Sequence, residues 1–101
     1  MKRDKTPIRR LQSLLAKIPR GNISTYKIIA ERLGVNPRHA GWLLGKNDKP
    51  DTYPCYKIVM SDGRIGGYAL GVSEKIRRLK GDGLVIQHGR VAHFDKKVYK
   101  F

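Results

Sequence analysis

The chain has 101 residues, 40% of them hydrophobic, which fits one folded domain with a single modest core and excludes a disordered segment. Its 22 Lys and Arg against 8 Asp and Glu give a formal net charge of +14, so the expected partner is a polyanion, nucleic acid first and an anionic membrane surface second. No apolar run approaches bilayer length, nothing at the N-terminus resembles a signal peptide, and one cysteine with three scattered histidines (His39, His88, His93) gives neither a disulfide nor a zinc site.

Residues 1–7 are charged, carry Pro7 and read as a mobile basic lead. Ile8, Leu11, Leu14, Leu15 and Ile18 then recur at helical spacing, with Arg9, Arg10 and Lys17 between them, and Pro19 and Gly21 end the helix. Gly21-Asn22 is a turn. Ser24 or Thr25 can cap a second helix from Tyr26 to Leu33, stopped by Gly34, with Ile28, Ile29 and Leu33 inward. Asn36 and Pro37 are a good N-cap and first residue for a third helix over about 37–46. Two short helices with so tight a connection read as a helix-turn-helix or as an ordinary αα-hairpin, and the charge favours the DNA-binding form. Arg38 and His39 lie in the first turn of the third helix, where side chains reach into a groove. Gly41 costs about 1 kcal/mol relative to Ala there, which suggests a close approach of some surface. Leu43 and Leu44 face inward and leave Trp42 exposed.

After the loop Asn47-Asp48-Lys49-Pro50 comes Tyr53-Pro54-Cys55-Tyr56-Lys57-Ile58-Val59-Met60. Pro54 fixes its own φ and holds Tyr53 extended, so the backbone entering Cys55 is stiff. Ile58-Val59-Met60 reads as a short buried strand. A lone cysteine reads either as a small buried hydrophobe or, at the rigid mouth of a strand, as a nucleophile. Ser61-Asp62-Gly63-Arg64 signals a hairpin turn, and Gly66-Gly67-Tyr68-Ala69-Leu70-Gly71 is a glycine-rich loop without phosphate-loop spacing. Ser73 is expected to cap a fourth helix to about residue 80, Ile76 and Leu79 inward and Lys75, Arg77, Arg78 and Lys80 outward. Leu84-Val85-Ile86 and Val91-Ala92-His93-Phe94 read as a terminal hairpin, followed by a basic tail interleaved with aromatics.

Ile23-Ser24-Thr25-Tyr26, Asn36-Pro37-Arg38-His39-Ala40-Gly41, Asn47, Pro54-Cys55-Tyr56-Lys57-Ile58-Val59, Ser61 through Tyr68 and Asp82-Gly83 share an order and spacing. Over residues 8–101 this resembles the DNA-binding, active-site domain of the O6-alkylguanine-DNA alkyltransferases and the small alkyltransferase-like proteins. The family's separate N-terminal domain has no counterpart in these residues, which is closer to the alkyltransferase-like proteins. Those usually carry Trp or Ala where this chain has Cys55, so there it sides with the transferases.

The resemblance implies a mainly α fold with small β elements, a winged-helix-like helix-turn-helix domain in one unit, 1–101. It implies that Cys55 accepts the alkyl group and that Arg38 fills the space of an extruded base. Tyr26 would rotate the 3′ phosphate and pack near the flipped guanine, and Asn47 would bridge the recognition helix and the active-site turn. Backbone groups of Cys55 and Ile58 would read the base, with Tyr68 and Ala69 as the opposite wall. Asp82 falls where the family ends its proton relay in a glutamate. The helix-turn-helix would enter the minor groove, with His39, the small Ala40 and Gly41, Trp42 and Lys57 beside DNA. The family's Pro-Cys-His-Arg is Pro-Cys-Tyr-Lys here. Tyr56 has a hydroxyl but is a poor base at neutral pH, and Lys57 keeps a charge without the fork of Arg. The expected protein is an intracellular, cytoplasmic monomer without metal or cofactor and with no membrane partner. Its partners are duplex DNA bearing O6-alkylguanine and other repair proteins. It acts as a single-turnover methylated-DNA–protein-cysteine methyltransferase. The alternatives are a lesion sensor that does not transfer, and a general basic chromatin-type protein.

Overall fold

The computed structural model describes residues 6–101. Helix α1 spans Pro7–Lys17. Its N-cap is Thr6, whose hydroxyl accepts from the Arg9 amide at 3.4 Å, and Pro7 takes the first position, where a missing N–H costs nothing. The helix therefore begins inside the stretch read as a mobile lead, and the rest of that stretch, 1–5, lies outside the described residues. Leu11 and Leu15, one turn apart, are fully buried.

Helices α2 (Tyr26–Leu33) and α3 (Pro37–Gly45) are joined by residues 34–36. Gly34 ends α2 with φ +74°, a left-handed conformation that glycine adopts without strain. The Asn36 side chain accepts from the His39 amide at 2.8 Å and starts α3. So short a joint presses the two helices together as a helix-turn-helix. Ile29, Ala30 and Leu33 of α2 meet Ala40, Leu43 and Leu44 of α3 in one core, and α1 packs across both.

Two short pairings complete the fold. Strand β1 (Ser24–Thr25) runs parallel to β2 (Ile58–Val59), with Ser24 opposite Ile58 and Thr25 opposite Val59. A 3-10 turn at Cys55–Lys57 leads into β2. The turn after β2 forms, with the Gly63 amide on the Met60 carbonyl at 2.9 Å, but β2 takes its ladder partner from the chain before α2 rather than across that turn. Helix α4 is Val72–Gly81. Gly71, not Ser73, stands at its cap, and Ser73 lies inside the first turn. Strands β3 (Ile86–Gln87) and β4 (Arg90–Val91) form an antiparallel wing. His88 (φ +54°) and Gly89 (φ +73°) close it as a two-residue turn. Phe94, read from the sequence as hairpin strand, instead opens the short helix α5 (Phe94–Lys97). Beyond α5 the Tyr99 amide donates to the Ile23 carbonyl at 2.7 Å and ties the tail to the chain before β1.

The wing, α4 and β2 enclose a second core of Ile23, Val59, Ile65, Leu79, Leu84 and Val91. Cys55 and Ile58 belong to the first core and Val59 to the second, so the cysteine stretch lies along the seam between them. Thr25 stands at this seam, 4% exposed, its hydroxyl accepting from the Ile28 amide at 3.1 Å. Replacing it with alanine is expected to lower unfolding free energy by about 1 kcal/mol in urea denaturation, the cost of a lost helix cap.

Candidate active site

The stiffness expected around Cys55 is present in detail. Its amide donates back to the Tyr53 carbonyl at 2.8 Å, and its carbonyl accepts from the Ile58 amide, so the residue is held from both sides. The thiol is buried, at 8% exposure. Asn47, just past α3, fixes the approach: its side-chain amide donates to the Tyr53 carbonyl at 2.7 Å. Its oxygen accepts from the buried Gln12 of α1 at 3.2 Å. Asn47 thus spans the end of α3 and the turn before the cysteine.

The parallel pairing of β1 with β2 brings Tyr26, the residue after β1, to the same place. Its ring fits between Gly41 of α3 and Gly66. A Cβ at Gly41 would lie 3.9 Å from the ring, and one at Gly66 3.3 Å from the ring and its hydroxyl. Gly66 also has φ +76°, so side chains are disfavoured there twice over. Burial pushes the Tyr26 and Tyr68 hydroxyls up, and a charge on Cys55 pushes both further. The Tyr68 hydroxyl is buried and has no hydrogen-bond partner, an arrangement that costs about 1–3 kcal/mol until something accepts from it. Ala69, assigned to the same wall, is exposed.

Sequence reasoning missed Lys75. Read as an outward charge on α4, it is 1% exposed. Its ammonium donates to the Ile58 carbonyl at 2.6 Å and the Gly67 carbonyl at 3.0 Å. It stands 5.8 Å from the centre of the Tyr26 ring. Burial pulls it down to about 8, against an upward pull from Cys55. Its spacing to Leu79, four residues on, already placed it on the inner face, and its charge argued the other way. Among the Ile58 backbone groups expected to read a base, the carbonyl accepts from Lys75.

Next to Cys55 in sequence, the Tyr56 hydroxyl donates to Asp82 at 2.7 Å. Burial first and Asp82 second push it far above an ordinary phenol. Lys57, expected beside DNA, is instead interior, at 5% exposure. Its ammonium donates to the Ile18 and Pro19 carbonyls at 3.2 and 3.1 Å and lies 3.7 Å from Asp82. Burial pulls its ammonium down and Asp82 holds it up. Arg20 approaches the other Asp82 oxygen at 3.5 Å. An open groove of about 520 Å³, lined by Arg20, Pro54, Tyr56, Arg78 and Asp82, gives this cluster contact with solvent.

Along α3, Arg38, His39 and Trp42 are exposed, Trp42 at 59%. Ala40 is not on that face: it is fully buried, because its position points α3 at α2. Gly41 is half-buried against Tyr26. Among the described residues no cluster of three or more His, Cys, Asp or Glu could hold a metal, and no helix is long and apolar enough to cross a membrane.

A helix-turn-helix that carries a fixed cysteine beside two tyrosines and a buried lysine defines the class of protein. The chain belongs to the family described as 6-O-methylguanine DNA methyltransferase, DNA binding domain, whose model matches residues 8–84. A bifunctional methyltransferase/endonuclease of Picrophilus torridus is 47% identical over 93 residues, 90% of this chain and 30% of that one. A methylated-DNA–protein-cysteine methyltransferase of Pyrobaculum aerophilum is 48% identical over 75 residues, 74% of this chain and 50% of that one. The chain thus spans only 30% to 50% of the length of these curated relatives. S. pombe Atl1, solved in complex with damaged DNA containing O6-carboxymethylguanine, shares the fold with a TM-score of 0.75 at 22% identity, over 99% of this chain and 100% of that one.

Asp82 is the carboxylate that Tyr56 and Lys57 share. Asp82→Ala leaves a buried ammonium with carbonyls alone, and is expected to lower stability by about 3 kcal/mol in urea denaturation. Adding Lys57→Met to that variant is expected to recover part of the loss.

Proposed function

We propose that the chain binds duplex DNA containing O6-alkylguanine, turns the damaged base out of the helix and moves its alkyl group irreversibly to Cys55. The observation that carries this reading is the convergence of Cys55, Tyr26, Tyr68 and the buried Lys75 from four separate parts of the chain. Family membership and a relative named as a cysteine methyltransferase support it.

The exposed face of α3 enters the minor groove, and basic side chains supply most of the affinity through phosphates, so binding weakens steeply with salt. Extruding the base costs a few kcal/mol, less for a damaged pair. Arg38 offsets part of that by filling the gap. The sulfur is nearly covered, so the base gains access by displacing the loop 66–71, where Gly67, Ala69 and Leu70 are exposed. The unpartnered Tyr68 hydroxyl then finds an acceptor on the base.

The thiol must lose its proton before it attacks. Tyr56 does not take it, because its own O–H is donated to Asp82 and is held far above neutral pH. Lys75 takes it: burial without a carboxylate draws its ammonium down to about 8, so its neutral amine forms near neutral pH. The thiolate displaces guanine in line at the alkyl carbon. The S–C bond forms, the O6–C bond breaks with its electrons going to guanine, and the proton held by Lys75 passes to the departing base. A thioether is stable, so each molecule turns over once.

A second reading, a lesion sensor without transfer, is favoured by the same Tyr56–Asp82 bond, which leaves the family's histidine relay without its base. Incubation with an O6-methylguanine duplex followed by mass spectrometry separates the two. A methyl-sized gain located on Cys55 supports transfer. Tight lesion binding with no gain supports sensing, and equal affinity for damaged and undamaged duplex would sink both. The transfer rate is expected to rise with pH through about 8, because the folded protein's Lys75 becomes the neutral acceptor only above that value. Lys75→Met is expected to slow transfer by about 100-fold at neutral pH.

A further inference from the structure

We propose that the groove between the start of α1 and the outer face of α3 holds an unpaired nucleobase of single-stranded DNA, stacked on Trp42. The groove has a volume of about 520 Å³, within the range of sites that enclose small ligands. Ile8, Leu43 and Tyr53 give it an apolar lining. Trp42 forms part of its wall and is the largest exposed apolar side chain on α3. His39, Lys46 and Lys49 stand around it, with Asp48 as the acidic member of the lining.

Trp42 is held in place rather than loose. The His39 ring meets it edge-on, centroids 5.8 Å apart at 62°. The Lys46 ammonium rests over the indole, 5.1 Å from its centre. A planar aromatic, two lysines and a shallow apolar trough match what one nucleotide offers: a flat base and an adjoining phosphate. An arriving base takes the indole face, and the flexible Lys46 swings from the ring to the phosphate. A paired base does not present its face, so the site selects unpaired strand. The positive surroundings argue against a cationic or neutral protein helix as the occupant, although the trough itself is apolar. Trp42 lies one turn beyond Arg38 on α3, so the strand so held would run beside the helix face already assigned to DNA. Neither an alkylated base nor Cys55 enters this proposal, and it can fail while the transfer reading stands.

The chain has one tryptophan, so its fluorescence reports on the surroundings of Trp42. An undamaged oligo(dT) is expected to quench it saturably. In anisotropy titrations with labelled oligo(dT), Trp42→Ala is expected to weaken binding about tenfold, the scale of one lost base–aromatic stack, and Trp42→Phe to retain most of it. A melting curve checks that each variant is folded. Quenching by heparin equal to that by oligo(dT) would show that charge without bases suffices, and would overturn the proposal. So would oligo(dT) that leaves the fluorescence unchanged, as expected if the groove takes a protein, or a folded Trp42→Ala that binds oligo(dT) as tightly as the parent.

Discussion

Two backbone pairings, Ser24 with Ile58 and Thr25 with Val59, hold this molecule's chemistry together. One strand ends where Tyr26 begins α2, and the other begins where the Cys55 turn ends. A parallel ladder of this length is feeble alone, since short two-stranded sheets are marginal in water. It persists because both strands are buried along a seam between two cores: Ile58 packs into the core of α1, α2 and α3, and Val59 into that of α4 and the wing. The helix-turn-helix and the cysteine turn are thus locked in register by packing on both sides. A change in either core shifts the sulfur relative to Tyr26.

Among the described residues the interior carries two ammonium groups, which is unusual for so small a domain. Each is solved differently. Lys57 has two carbonyls at the end of α1 and a carboxylate nearby, so its charge is largely balanced. Lys75 has two carbonyls and a tyrosine face but no carboxylate bond. Burial without an anion disfavours the charged form, and the group that lowers that penalty is a charge on Cys55. The two buried lysines therefore differ in kind: one is balanced by a carboxylate, and the other is drawn down to about 8 by burial with only Cys55 pulling it up.

Much of this was legible in the sequence. Helix caps at Asn36 and Gly34 and the apolar spacing of Leu11 and Leu15 are local signals, and local physics decided them. The stiff entry to Cys55 follows from Pro54. The parallel partner of Ile58–Val59 was not legible, because pairing between distant segments leaves no local trace. The charged residues misled for a related reason. Lys57 and Lys75 were read by their charge as surface groups, whereas their positions, next to Ile58 and one turn before Leu79, put them inside. Ala40 was taken for a groove contact because it is small; it is small because α2 lies against it.

The exchange of the family's histidine for Tyr56 has a consequence that extends past one residue. A histidine in contact with a buried carboxylate can accept a proton and keep the pair neutral overall. A tyrosine in the same contact can only give, and the 2.7 Å bond to Asp82 uses the one proton it has. Lys57 and Arg20 gather around Asp82. The cluster ties Tyr56 and Lys57 of the Cys55 turn to Asp82 after α4 and to the Ile18 and Pro19 carbonyls after α1. On this argument the Tyr56 variant does not imply a dead site. Under the proposed transfer, holding the turn falls to this cluster and taking the proton falls to Lys75, two tasks that a histidine relay combines.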